Sequence, residues 1–220
     1  MTRFRFSKVV RLARGSRSRW FTAAALLVAV PVTARTAAAF IVNVAADVVK
    51  IPAPASVLPG ALVGPGIQAF DERQDVLLTA PLFVDHQGPG LVNQPSDLKP
   101  GWIPAGTCIR SHYVHLDPNG VATATGGMQL EGNIVGVIVR PPTLDASNYL
   151  GAFNTTYPPN AAAGTCVNGT SQCGLEISAP TQDSFVISNP DVLRMTLQAG
   201  NPGDRMRVIT KSCGCAPPQG

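Results

Sequence analysis

The chain of 220 residues is expected to fold as an all-β protein, an antiparallel β-sandwich of jelly-roll-like form behind an N-terminal signal peptide. Three observations carry that expectation. Helix signals are nearly absent, and short runs of β-branched and aromatic residues recur between Gly, Pro and Asn turns. The first 39 residues have the layout of an export leader. Many short strands joined by tight turns are best buried as two packed sheets.

The leader comes first. Arg3, Arg5, Lys8, Arg11, Arg14, Arg17 and Arg19 precede an apolar run over 21–32 and small residues ending in Ala37-Ala38-Ala39. A basic lead, an apolar centre and an A-x-A site define a secretory signal peptide, with cleavage expected after Ala39. The apolar stretch over 21–34 is 14 residues long, short of the about 20 that a membrane-crossing helix needs. The leader holds eight of the 17 Lys+Arg and none of the 13 Asp+Glu, which leaves residues 40–220 with nine basic and thirteen acidic side chains, net −4. The +4 of the whole chain therefore belongs to the leader, and no nucleic-acid partner is expected. The product is expected to be secreted or periplasmic, without membrane association after cleavage.

The rest divides into an arm over 40–66, a β-sandwich domain over 67–211 and a Cys/Pro-containing tail over 212–220. Within the arm, FIVNVAADVV reads as an edge strand or a mobile start. IPAPASVLPGALVGPG, with four prolines and three glycines, reads as irregular. Residues 76–84 are apolar and broken at Pro81. TCIRSHYVHL (107–116) reads as a strand ending in Asp117-Pro118-Asn119-Gly120, a turn that places VATATGGMQL (121–130) at hairpin distance. Gly126-Gly127 suggests a bulge. NIVGVIVR (133–140) reads as the most deeply buried, central strand. Residues 185–188, 192–198 and 205–210 complete the set. The one helical turn is placed near Asp145, capped by Asp145 or Ser147 and stopped by Gly151.

Cysteines fit an oxidising compartment. Cys166 and Cys173 flank the polar loop VNGTSQ and are expected to form a disulfide. Cys213-Gly214-Cys215 leaves its pairing open: the two with each other, across one residue, or either member with Cys108.

No catalytic motif is present: neither G-x-S-x-G, H-E-x-x-H, a P-loop nor a dinucleotide fingerprint occurs. His112 and His115 resemble an H-x-x-H pair, but on a strand they point to opposite faces and do not chelate together. His115 and Asp117 share a face, with Asp85 and His86 as further contributors to any cluster. No catalytic residue, metal or cofactor is expected. For a ligand, the aromatic residues Tyr149, Phe153 and Tyr157, grouped in one loop region, are the candidate platform. With Trp102 and Tyr113 they are the aromatics outside the leader considered for a platform, and in a β-sandwich most such residues are core or corner residues.

The runs IQAFDERQDVLL, IPAGTCIRSHYVHLDPNG, NIVGVIV, TLDASNYLGAFNTTYP and DRMRVIT resemble a recurrent β-sandwich domain of exported bacterial proteins, often found in proteins with a PEP-CTERM sorting tail. The resemblance spans about 67–210. It implies a secreted module of uncharacterised function near the cell surface or exopolysaccharide. The tail itself is absent from this sequence, so free release is expected. The expected function is thus a non-enzymatic extracellular binding or structural protein, with an extracellular glycan or another envelope protein as partner. The alternatives are a carbohydrate-binding module and an exported hydrolase or metal-dependent enzyme.

Overall fold

The computed structural model describes residues 40–158, 174–177, 183–200 and 203–215. The leader with its expected cleavage site, and the Cys166 and Cys173 pair, lie outside the described residues.

The strands are β1 (Ile41–Ala46), β2 (Val48–Lys50), β3 (Ile67–Asp71), β4 (Val76–Leu77), β5 (Leu82–Val84), β6 (Gly90–Val92), β7 (Gly101–Ile103), β8 (Cys108–Leu116), β9 (Ala122–Leu130), β10 (Ile134–Ile138), β11 (Ser184–Asn189), β12 (Val192–Ala199) and β13 (Asp204–Lys211). Among the described residues a single short α-helix, α1 (Pro141–Ala146), and a 3-10 turn, Asn148–Leu150, follow β10. A front sheet runs β1-β9-β12-β11-β6, and a back sheet runs β10-β13-β8-β3-β2, with β4 also on β8. β5 and β7 form a separate ribbon. Among the described strands only β2 and β3 pair in parallel. The all-β sandwich read from the sequence is the fold observed.

Alternation builds the core between the sheets. Ala124, Met128 and Leu130 of β9 and Leu193, Met195 and Leu197 of β12 meet Ala69, Val114, Leu116, Met206 and Val208 of the back sheet. The opposite face of the back sheet is also apolar, through Phe70, Ile109, Tyr113 and Ile209. It is covered by a third layer: Val57 of the arm, the β5–β7 ribbon through Leu82, Val84 and Ile103, then Leu144 and Leu150. The protein is therefore front sheet, back sheet and outer layer, with β8 and β13 buried on both faces.

Four expectations about local order are corrected. β8 and β9 do not form a hairpin. The Asp117–Gly120 turn carries the chain across the sandwich instead, since β8 pairs with β13 and β3 while β9 pairs with β12 and β1. β10 lies at an end of the back sheet rather than at its centre; its outer side is closed by His86, which exchanges backbone hydrogen bonds with Val137 at 2.9 and 3.0 Å. Gly126-Gly127 is not a bulge against β12, where the register runs unbroken. Gly126 is instead required by close packing, because a Cβ there would lie 2.6 Å from the Ala45 carbonyl oxygen. The expected turn between Ser147 and Gly151 is present as the 3-10 turn, but the α-helix begins earlier, at Pro141, and the side chain that satisfies its first turn is remote. Asp85 Oδ2 accepts from the Val139 and Arg140 amides at 2.8 and 2.9 Å, and Thr143 Oγ1 donates to Oδ1 at 3.0 Å.

The undecided segments also resolve. FIVNVAADVV is an edge strand of the front sheet that turns at Ala46 (φ 56°) and joins the back sheet as β2. Residues 51–66 are irregular, as expected, and Asp117 pins them: Gly60 N–H donates to its Oδ2 at 2.6 Å and Gly64 N–H to its backbone carbonyl at 3.0 Å. Of the open cysteine pairings, Cys215 bonds Cys108, with Cα atoms 5.7 Å apart and 107 positions between them in sequence, while Cys213 is free and exposed.

Candidate ligand-binding groove

In the β5–β7 ribbon, Leu82, Val84 and Ile103 point into the outer core, so Phe83 and Trp102 must point away from it. Phe83 and Trp102 are cross-strand partners whose rings meet edge to face, centroids 5.1 Å apart. With Pro81, Pro142, Thr143 and Tyr149 they line a groove of about 370 Å³. Trp102 is 62% and Tyr149 52% exposed.

Both walls are rigidly held. Val84 packs where residue 136 must be glycine, since a Cβ there would lie 2.6 Å from Val84 Cγ1. On the other wall, Asp85 fixes the start of α1, and Arg207 reaches from β13 to fix its end. The fully buried Arg207 guanidinium donates to Glu72 through Nε (2.6 Å) and Nη2 (2.8 Å), and through Nη1 to Leu144 O (3.0 Å) and Ser147 Oγ (2.5 Å). Nη2 also donates to Asn148 Oδ1 at 3.3 Å. This bidentate, multiply bonded pair ties the residues beside Tyr149 to the centre of the back sheet.

The three aromatics expected to act together are separated. Tyr149 lines the groove. Phe153 is 77% exposed on the adjoining turn, with the Arg73 guanidinium 5.0 Å from its ring centroid. Tyr157 turns inward: its ring lies 5.2 Å from Tyr113, and its hydroxyl accepts from the Ala152 amide at 2.9 Å. Burial and the nearby Glu72 carboxylate push the Tyr157 phenol far up from its ordinary pKa. Trp102 and Phe83 occupy the place beside Tyr149 that the sequence reading gave to Phe153 and Tyr157. The signal for this was present, because strands of three residues bounded by Pro81, Pro100 and Pro104 make a thin ribbon with one face necessarily outward.

The histidines are structural in geometry. His112 and His115 do lie on opposite faces of β8. His112 Nδ1 is 2.8 Å from Asp71 Oδ1 and Nε2 is 3.2 Å from Thr210 Oγ1, a carboxylate–imidazole–hydroxyl line across β3, β8 and β13. Both His112 and Thr210 are fully buried. Desolvation raises the Asp71 carboxyl, but His112 and Lys50 outweigh it and hold the pKa below its ordinary value. His115 and Asp117 come together, Nε2 to Oδ2 at 3.8 Å, but are only 1% and 2% exposed under the arm. Neither His115 ring nitrogen has a hydrogen-bond partner. Burial drives its pKa down to about 4 against the opposing pull of Asp117, with Arg205 adding to the fall. His86 is held by Gly88 O and the Lys99 amide at 3.0 and 3.3 Å. At the end of the core between the two sheets, where β13 starts, burial and Asp183 push the Asp204 carboxyl up to about 9. Asp183 itself accepts from the Glu176 and Gln198 amides at 2.6 and 2.9 Å. Among the described residues no group of three or more His, Cys, Asp or Glu is placed to hold a metal ion.

Fold and groove together define an all-β, disulfide-bonded sandwich with one solvent-facing aromatic groove built on rigid elements. No protein-family model matches the chain, and it has no match among curated proteins or solved structures. Among the described residues no helix is long and apolar enough to cross a membrane.

Proposed function

We propose that this protein is a secreted, non-enzymatic binding module whose groove between Trp102 and Tyr149 takes a glycan of the cell envelope or its surroundings. The observation that carries the reading is the pair itself, an indole and a phenol left more than half exposed along one 370 Å³ depression. Burying such a side chain is worth about 1.5–3 kcal/mol, so a well-packed protein that leaves both out has surface for something else to cover. Aromatic faces bind the apolar faces of sugar rings, and Thr143 and the Tyr149 hydroxyl offer polar groups at the rim. The Cys108–Cys215 disulfide and the export leader support a location outside the cytoplasm. The resemblance to exported β-sandwich domains favours the envelope.

The test uses the indole as its own reporter. Trp102 is the single tryptophan of residues 40–220, so titration with envelope-derived oligosaccharides should change its fluorescence saturably. Trp102→Ala and Tyr149→Ala should each weaken binding, measured by calorimetry, with an unchanged unfolding midpoint. Saturable binding that both variants retain would refute the reading.

A further inference from the structure

The Gly126-Gly127 pair has a second consequence on the outward face of the front sheet. Gly126 points inward, and Gly127 outward, where the lack of a side chain leaves a trough of about 430 Å³. The trough touches all five front-sheet strands, from Ala45 on β1 to Leu91 on β6. Four strand intervals make it about 19 Å wide across the sheet. Thr125, Thr196 and Ser184 line it with hydroxyls, and the Thr125 and Thr196 oxygens are 3.1 Å apart. Arg194, the cross-strand neighbour of Gly127, is exposed there.

We infer that this trough is a second site, independent of the aromatic groove, for an acidic polysaccharide whose carboxylates pair with Arg194. Charge decides the class of ligand. Arg110 and Arg207 are each bonded to carboxylates and Arg73 lies over Phe153, whereas no carboxylate of the described residues lies within ion-pair distance of Arg194. The Asp47 carboxylate, which accepts from the Thr125 amide at 2.9 Å, places its charge at the β1 end and so confines a polyanion to the Arg194 side of the trough. The backbone beneath is already paired strand to strand, so an added peptide strand finds no free ladder groups here. A polyol finds hydroxyl partners, and its carboxylate finds the guanidinium. Residues 40–220 carry net −4, so a polyanion is not held by overall charge and needs this local cation.

Affinity electrophoresis in gels containing polygalacturonate, with its fully methyl-esterified form as the neutral control, tests the site. The native protein should be retarded by the acid form only, and less so as salt rises. Arg194→Ala should weaken retardation about tenfold, the order of a lost hydrogen bond to a charged group. Arg194→Lys should keep part of it, Thr196→Val should weaken it, and Trp102→Ala should leave it intact. No retardation of the native protein at low salt, equal retardation of Arg194→Ala, or loss in Trp102→Ala would each overturn the inference. None of these results bears on whether neutral sugars enter the aromatic groove.

Discussion

Arg207→Met removes the cation that Glu72 pairs with in the outer core while keeping a side chain of similar length. In the native protein Glu72 accepts two hydrogen bonds from Arg207, at 2.6 and 2.8 Å, and both side chains are fully shielded from water. Breaking a buried pair from one side leaves an uncompensated charge and costs about 3–5 kcal/mol. The Leu144 carbonyl and Ser147 hydroxyl lose their shared donor as well, so the upper end of that range is expected. Against a total stability of about 5–15 kcal/mol, that is a large fraction. Urea unfolding followed by circular dichroism measures it. The double variant Glu72→Met/Arg207→Met should recover part of the loss, because it removes the stranded carboxylate and fills the space with apolar atoms. A cost below about 1 kcal/mol for Arg207→Met, or a double variant less stable than the single one, would refute the reasoning.

Replacing Cys108 and Cys215 by serine reopens a loop spanning 107 positions, and chain entropy puts the loss at about 5 kcal/mol. Thermal unfolding with and without reductant should move the native protein toward the variant, and no change on reduction would contradict it. His115 is held neutral when folded, with a pKa of about 4. The unfolded chain therefore takes up the proton first, and stability falls as pH drops from about 6.5 toward 4, by about 3 kcal/mol for this group. His115→Gln should flatten that acid limb in a pH series of urea midpoints. Asp204 acts with the opposite sign. Its raised folded pKa means that stability is lost as pH climbs from about 4 toward about 9, and Asp204→Asn should flatten that decline. Asp85→Ala strips the three hydrogen bonds that start α1. It should cost about 2 kcal/mol and weaken ligand binding in the groove, both readable by Trp102 fluorescence.

Which segments are strands was legible, because β-branched runs and turn residues act locally. Which strands lie together was not. TCIRSHYVHL looks half polar and IVGVIV wholly apolar, yet the first is central and the second terminal in the back sheet. The reason is satisfaction at a distance: Ser111 reaches Glu72 at 2.5 Å and His112 reaches Asp71 at 2.8 Å, partners 39 and 41 positions away. Such groups tolerate burial, and spacing along the chain cannot reveal them. The Asp117–Gly120 turn fits a hairpin and a crossing between sheets equally well. The groove was half legible for a related reason. Tyr149 was named, but the inward turn of Tyr157 depends on Tyr113 in β8, and the outward turn of Trp102 on the ribbon it shares with Phe83.

The most direct test of the central claim is a fluorescence titration of residues 40–220 with oligosaccharides released from the cell envelope of the source organism. The account predicts a saturable change in the emission of Trp102, lost in Tyr149→Ala although that variant unfolds at the same midpoint. Emission that stays constant while calorimetry records binding would place the ligand elsewhere and contradict the account.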